Sequence, residues 1–146
     1  RQGFTVIELE KAGMNEEVDY ARQVLTVFAE HGISIEGMPS GIDNLSVVVA
    51  DGQLAGKLDV VMRDLQEQCQ PDSLEDYPNH LALIAVVGRR MRGTVGILAK
   101  LAGVLAREGV NIWMVNQGAN QTTIIFGVEN ADYERAIRAM YRKFFT

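Results

Sequence analysis

The sequence predicts an α+β chain of two like units, each running strand-helix-strand-strand-helix. Two observations carry this. The stretch Gly32-Ile33-Ser34-Ile35-Glu36-Gly37-Met38-Pro39-Ser40-Gly41 returns as Gly109-Val110-Asn111-Ile112-Trp113-Met114-Val115-Asn116-Gln117-Gly118, displaced by 77 positions from Gly32 to Gly109. Each copy follows an apolar pattern of helical period and holds a short strand-like run bounded by glycines. The same displacement carries Ile7 onto Ile84, Met14 onto Met91, Val18 onto Val95, Val27 onto Val104 and Ala29 onto Ala106. Duplication explains both the matches and the matching order of elements.

In the first unit, Val6, Ile7 and Leu9 mark a strand over residues 4–9, and Gly13-Met14-Asn15 breaks it. From Val18 onward, Ala21, Val24, Leu25 and Phe28 recur at helical spacing. That helix ends at Gly32, where a residue without a Cβ can take the left-handed closing conformation. A second strand is expected over residues 33–38, a bend at Pro39-Ser40-Gly41, and a turn at Asp43-Asn44. The β-branched run 45–49 reads as a third strand. Beyond Asp51-Gly52, Leu58, Val61, Met62, Leu65 and Cys69 share one face of a second helix.

Residues 70–79 hold two of the three prolines and read as a connector with room for a short edge strand over 73–77. The order then restarts. Residues 81–87 are almost uninterrupted apolar, as in a strand covered on both faces. Leu98, Leu101, Ala102 and Leu105 give a helix that Gly109 stops, residues 112–115 and 122–128 give strands, and Tyr133, Ile137, Met140 and Phe144 give the last helix. The expected division is 1–70, a connector 71–79, and 80–146. Two helices on one face of a four-stranded antiparallel sheet have ferredoxin-like connectivity. A unit of about 70 residues is marginal alone, and pairing of units and of chains would cover open strand edges, so a dimer is expected.

With 146 residues and near-average charged and apolar fractions, the chain is globular in composition. A net charge of -5 argues against a nucleic-acid partner, and Arg89-Arg90-Met91-Arg92 reads as a solvated loop. The single cysteine, Cys69, excludes an internal disulfide and reads as a buried thiol. No apolar run is long enough to span a membrane and no signal-peptide pattern opens the chain, so a soluble cytoplasmic protein is expected. The start at Arg1, without an initiator methionine, is expected of a piece of something longer.

Catalysis finds little material. No glycine pattern matches a phosphate loop or dinucleotide fingerprint. His31, at a helix end, and His80, before a strand, read as capping or solvated residues, and no cluster of metal ligands stands out. No catalytic and no metal-binding residue is expected. Binding is better served. The segment Met14-Asn15-Glu16-Glu17-Val18-Asp19-Tyr20 opens a helix whose free N–H groups attract a carboxylate, and Glu36 on the following strand can accept an ammonium. A small zwitterion fits between them. Equally, Glu16, Glu17 and Asp19 can serve only as first-turn acids, with Glu36 solvated. In the second copy Trp113 replaces Glu36, and Arg92-Gly93-Thr94 replaces Asn15-Glu16-Glu17. Asn116 and Gln117 remain there as contact amides, and that unit reads as one for packing or coupling.

These features together, from the Met14 loop and Gly32-Ile33-Ser34-Ile35 with Pro39-Ser40-Gly41 to Gly109-Val110-Asn111-Ile112, Val115-Asn116-Gln117-Gly118, Phe126-Gly127-Val128 and the ending Met140-Tyr141-Arg142-Lys143-Phe144-Phe145, resemble the C-terminal tandem ACT regulatory region of aspartate kinases, the lysine- or threonine-sensitive monofunctional type most closely. The resemblance implies two ACT units and feedback inhibition by lysine and/or threonine. It also implies a homodimer through the ACT sheets, with ATP and Mg confined to a separate kinase domain. The effector site it implies comprises Met14, Asn15, Glu17, Val18, Asp19, Tyr20, Ile35, Glu36, Ser40 and Gly41. The sequence departs from lysine-binding relatives in placing acids at Glu17 and Asp19. That family tends to complete the second sheet with a strand from upstream of the first unit, which is expected to be cut off here.

Overall fold

The computed structural model describes residues 1–145, with Phe144 and Phe145 by backbone alone. Its elements are β1 (Phe4–Glu10), α1 (Tyr20–Glu30), β2 (Asn44–Ala50), the short α2 (Asp51–Leu54), α3 (Leu58–Cys69), β3 (Ser73–Val87), α4 (Ile97–Arg107), β4 (Ile112–Gln117), β5 (Thr123–Glu129) and α5 (Tyr133–Phe145). They form two compact units, Phe4–Asn79 and Arg1–Gly3 with His80–Thr146. No helix among the described residues is long and apolar enough to cross a membrane.

In the first unit β1 lies between β2 and the leading half of β3. β1 and β2 pair antiparallel from Phe4↔Ala50 to Glu10↔Asn44. Alternate residues Ile7 and Leu9 of β1, and Leu45, Val47 and Val49 of β2, join Val24, Val27 and Phe28 of α1 and Val61, Leu65 and Cys69 of α3 in one core. The period-2 strand pattern thus meets two period-3.6 helix faces. Thr5 is only 3% exposed, and its hydroxyl is satisfied twice: it donates to Asp51 Oδ1 at 2.6 Å and accepts from Asn79 N at 3.3 Å.

The second unit repeats the scheme with β5 between β3 and β4. The trailing half of β3 pairs antiparallel with β5 from Leu81↔Glu129 to Val87↔Thr123. Ala82, Ile84, Ile124, Phe126 and Val128 back onto Leu101, Val104 and Leu105 of α4 and Ala136, Ala139 and Met140 of α5. Arg1 lies beside Leu83, exchanging a 2.9 Å bond from its amino group and a 2.8 Å bond to its carbonyl. Residues 1–3 therefore belong with the second unit.

Some sequence expectations change. Residues 33–38 form no regular strand. They are an extended edge segment touching β2 through the single bridges Gly37↔Val48 and Ser40↔Leu45. Pro39, lacking an N–H, cannot continue a ladder, and its carbonyl alone serves, accepting from Ser46 N at 2.8 Å. The expected connector 71–79 is largely the leading half of a 15-residue strand, so it belongs to the first unit. Of the residues expected on α5, Met140 is buried and Tyr133 packs partly against the core, joined there by Ala136 and Ala139, while Ile137 is 36% exposed. The packing of Phe144 lies outside the described residues.

The duplicated glycines close α1 and α4 identically. Gly32 N donates to Ala29 O at 3.0 Å and Ile33 N to Phe28 O at 3.0 Å; Gly109 N donates to Ala106 O at 3.0 Å and Val110 N to Leu105 O at 2.9 Å. This double bond is the Schellman closure, and it needs the left-handed φ of 68° at Gly32 and 71° at Gly109. A Cβ at either position would meet no atom within 4 Å. Gly32→Ala and Gly109→Ala should therefore each cost the backbone term alone, about 1–2 kcal/mol. Urea titrations giving a clearly larger loss at one site would show a packing role there.

Candidate functional site

The loop between β1 and α1 is built around two inward side chains. Met14, 7% exposed, and Tyr20, 2% exposed, both sit in the first core. Between them the chain makes one 3-10 turn over Met14–Glu16. The loop is tied by its backbone to the turn before β2: Lys11 N donates to Asp43 O at 2.9 Å, Asn15 N to Ile42 O at 3.1 Å, and Gly13 N to Asp43 Oδ1 at 3.1 Å. That turn closes with Gly41 N donating to Asn44 O at 2.9 Å. A Cβ on Gly41 would fall 2.1 Å from Asn44 Oδ1, so only glycine fits without displacing that amide.

The expected site residues thus fall into three groups. Asn15, Ser40 and Gly41 are exposed and stand on two segments that the Asn15–Ile42 and Gly13–Asp43 bonds hold together. Glu36 is exposed on the same edge segment, its N–H donating to Val48 O at 2.8 Å, and Ile35 packs partly against the core. Met14 and Tyr20 instead face the core and shape the loop from behind. Val18 is 83% exposed. Asp19 takes φ 69° immediately before α1 and makes no side-chain cap; its carboxylate lies 3.6 Å from Arg22. The helix starts at Tyr20, two residues later than its apolar pattern indicates.

The electrostatics centre on a residue that sequence reasoning missed. Lys11 Nζ lies 2.6 Å from Glu17 Oε2 and 4.8 Å from the centroid of the Tyr20 ring. The Tyr20 hydroxyl is buried with no hydrogen-bond partner. Burial, reinforced by the charges of Cys69, Glu17 and Asp72, pushes its pKa up to about 12. Burial likewise raises the Cys69 thiol, against the opposing pull of Lys11, and so suppresses its thiolate. Asp43 was legible as a turn residue, but the six-residue span from Lys11 to Glu17 matches no regular spacing.

The second unit treats the corresponding residues differently. Trp113, at the bulge between Ile112 and Met114 of β4, packs its ring 4.3 Å from that of His80, at 59°. His80 is not simply solvated: Nε2 also lies 3.7 Å from Glu129. α4 begins after Gly96, at φ 87°, beside a hollow of about 400 Å³ lined by Thr94, Ile97, Gln117 and Gln121. His31 in the first unit closes α1 through its backbone, and its Nε2 meets Asp64 Oδ2 of α3 at 2.6 Å. That ring joins two helices.

Residues 84–144 match the family model described as ACT domain. The chain is 38% identical over 98% of its length to aspartokinase 3 of Bacillus subtilis (strain 168), of which it covers 32%. The structure of Clostridium acetobutylicum aspartate kinase, described as an important allosteric enzyme, matches with a TM-score of 0.94 at 43% identity, over 99% of this chain and 33% of that one. Two more distant structures share the fold. The regulatory subunit of aspartate kinase from Thermus flavus has a TM-score of 0.80 at 20% identity, with 99% and 94% covered. E. coli aspartokinase III in complex with lysine and aspartate has a TM-score of 0.78 at 24% identity, with 100% and 32% covered. The chain spans 32% of the length of the Bacillus relative.

Proposed function

We propose that the chain, whose residues 84–144 match the ACT domain model and which is similar along its length to part of two aspartate kinases, is the amino-acid sensor of such an enzyme. The parent protein would phosphorylate aspartate in the cytoplasm, with ATP and Mg held by a kinase domain. This chain would take lysine and/or threonine in its first unit and report occupancy through an ACT-paired homodimer. Couplings of this kind are about 1–3 kcal/mol.

One observation carries the assignment of the site: the β1–α1 loop and the turn before β2 are joined backbone to backbone. It supports a site with Asn15 and the start of α1 on one side, and Ser40, Gly41 and the edge segment bearing Glu36 on the other. The helix start suits the effector's carboxylate and Glu36 its ammonium. The lysine held by E. coli aspartokinase III supports the same ligand class. Thermal-shift and calorimetric titration of the chain with lysine, threonine and other aspartate-derived amino acids tests the proposal. A rise in Tm with lysine or threonine is expected. Indifference to every amino acid would instead leave a ligand-free dimerisation module.

A further inference from the structure

Lysine amines ordinarily extend into water, but that of Lys11 is turned onto the protein, and its side chain keeps only 22% of its exposure. Its Nζ meets the Glu17 carboxylate at 2.6 Å and the face of the Tyr20 ring at 4.8 Å. A carboxylate with an aromatic face is a combination that recognises a primary ammonium ion: the first supplies a charge-assisted hydrogen bond, the second a cation–π contact. Two further features mark the place as more than a surface ion pair. The ring is 2% exposed and fixed in the core, and its hydroxyl is a buried polar atom with no partner. Asp72 adds negative charge toward Tyr20 while its own carboxylate accepts from Ala12 N at 2.9 Å.

The loop does not depend on this amine for its shape. Its ties to the following turn run through the main chain of Lys11 and Asn15 and through Gly13 N to Asp43. The Lys11 side chain is thus an occupant rather than a strut. We propose that Glu17 and Tyr20 form a subsite for a primary ammonium ion, that Lys11 fills it from within the chain, and that Lys11 thereby competes with the cationic side chain of any free diamino acid reaching this unit. The subsite stands on the geometry of these three residues, which bound the same loop assigned to the effector.

Chemical rescue tests it. Lys11→Ala empties the subsite and should lower Tm. n-Butylammonium, which carries the deleted amine on a chain one methylene longer than the three carbons removed, should recover at least half of that loss. n-Butanol and potassium chloride at matched ionic strength should not. Wild-type protein, with its subsite filled, should ignore n-butylammonium, and Lys11→Ala combined with Glu17→Gln should not be rescued. A Lys11→Ala protein that gains no more from n-butylammonium than from potassium chloride overturns the proposal, as does equal rescue of the double variant. Should Lys11→Ala not fold alone, its refolding yield decides instead: recovery only with the amine supports the subsite, and no recovery overturns it.

Discussion

Replacing Phe126 by alanine should destabilise the chain by about 3–5 kcal/mol, the range for truncating a fully buried phenylalanine. Phe126 is 0% exposed on the middle strand of its unit, opposite Ile84 of β3 on one side and Val115 of β4 on the other. The residues around it, among them Ile84, Ile124, Leu101 and Leu105, belong to one packed core that relaxes only partially, so a cavity cost adds to the lost transfer energy. Urea unfolding followed by circular dichroism measures the difference. A loss below about 1 kcal/mol would mean that the core refills, against the close packing seen here.

The second large effect belongs to ligand binding. If Glu36 accepts the effector's ammonium, as proposed, Glu36→Ala removes a charge-assisted hydrogen bond of about 1.5–3 kcal/mol and weakens binding roughly tenfold to a hundredfold or more. Glu36→Gln keeps an acceptor but loses the charge, and should fall between the two. The counterpart Trp113 packs on His80, so its replacement should leave the affinity of the first unit unchanged. Calorimetry on these variants separates the roles. Unaltered affinity in Glu36→Ala would remove that residue from the site while leaving effector binding itself to the wild-type titration.

Much of the fold was readable because the duplicated residues are those with backbone duties. Gly32 and Gly109 each occupy a left-handed position that closes a helix, so the repeat in sequence marks a repeat in geometry. Periodicity also located the helices and the long strands. On α5 it found Met140 and Tyr133 but passed over Ala136 and Ala139, which carry little hydrophobic weight. The strand expected over residues 33–38 failed for a different reason. An edge segment needs only some of its hydrogen bonds, and Pro39 removes a donor in the middle of the bend.

The candidate site was legible as a set of segments but not as a set of directions. A loop has no period, so nothing in the sequence says that Met14 and Tyr20 turn inward while Val18, between them, turns out. For the same reason the pairing of Lys11 with Glu17 leaves no trace in their spacing. Acids at Glu17 and Asp19 looked alike as first-turn charges. The fold gives one a lysine at 2.6 Å and the other an arginine at 3.6 Å, so the charge each offers a ligand differs.

The hydrogen bond between Asn79 N and Thr5 Oγ1 has a further meaning once the chain's course is followed. The first unit is a guest within the second: its host resumes at His80 after breaking off at Gly3. Thr5 and Asn79, close to the first unit's entry and exit, meet at that bond. Residues 1–3 thus pair with the host strand, the Arg1 carbonyl accepting from Leu83 N, and not with the guest.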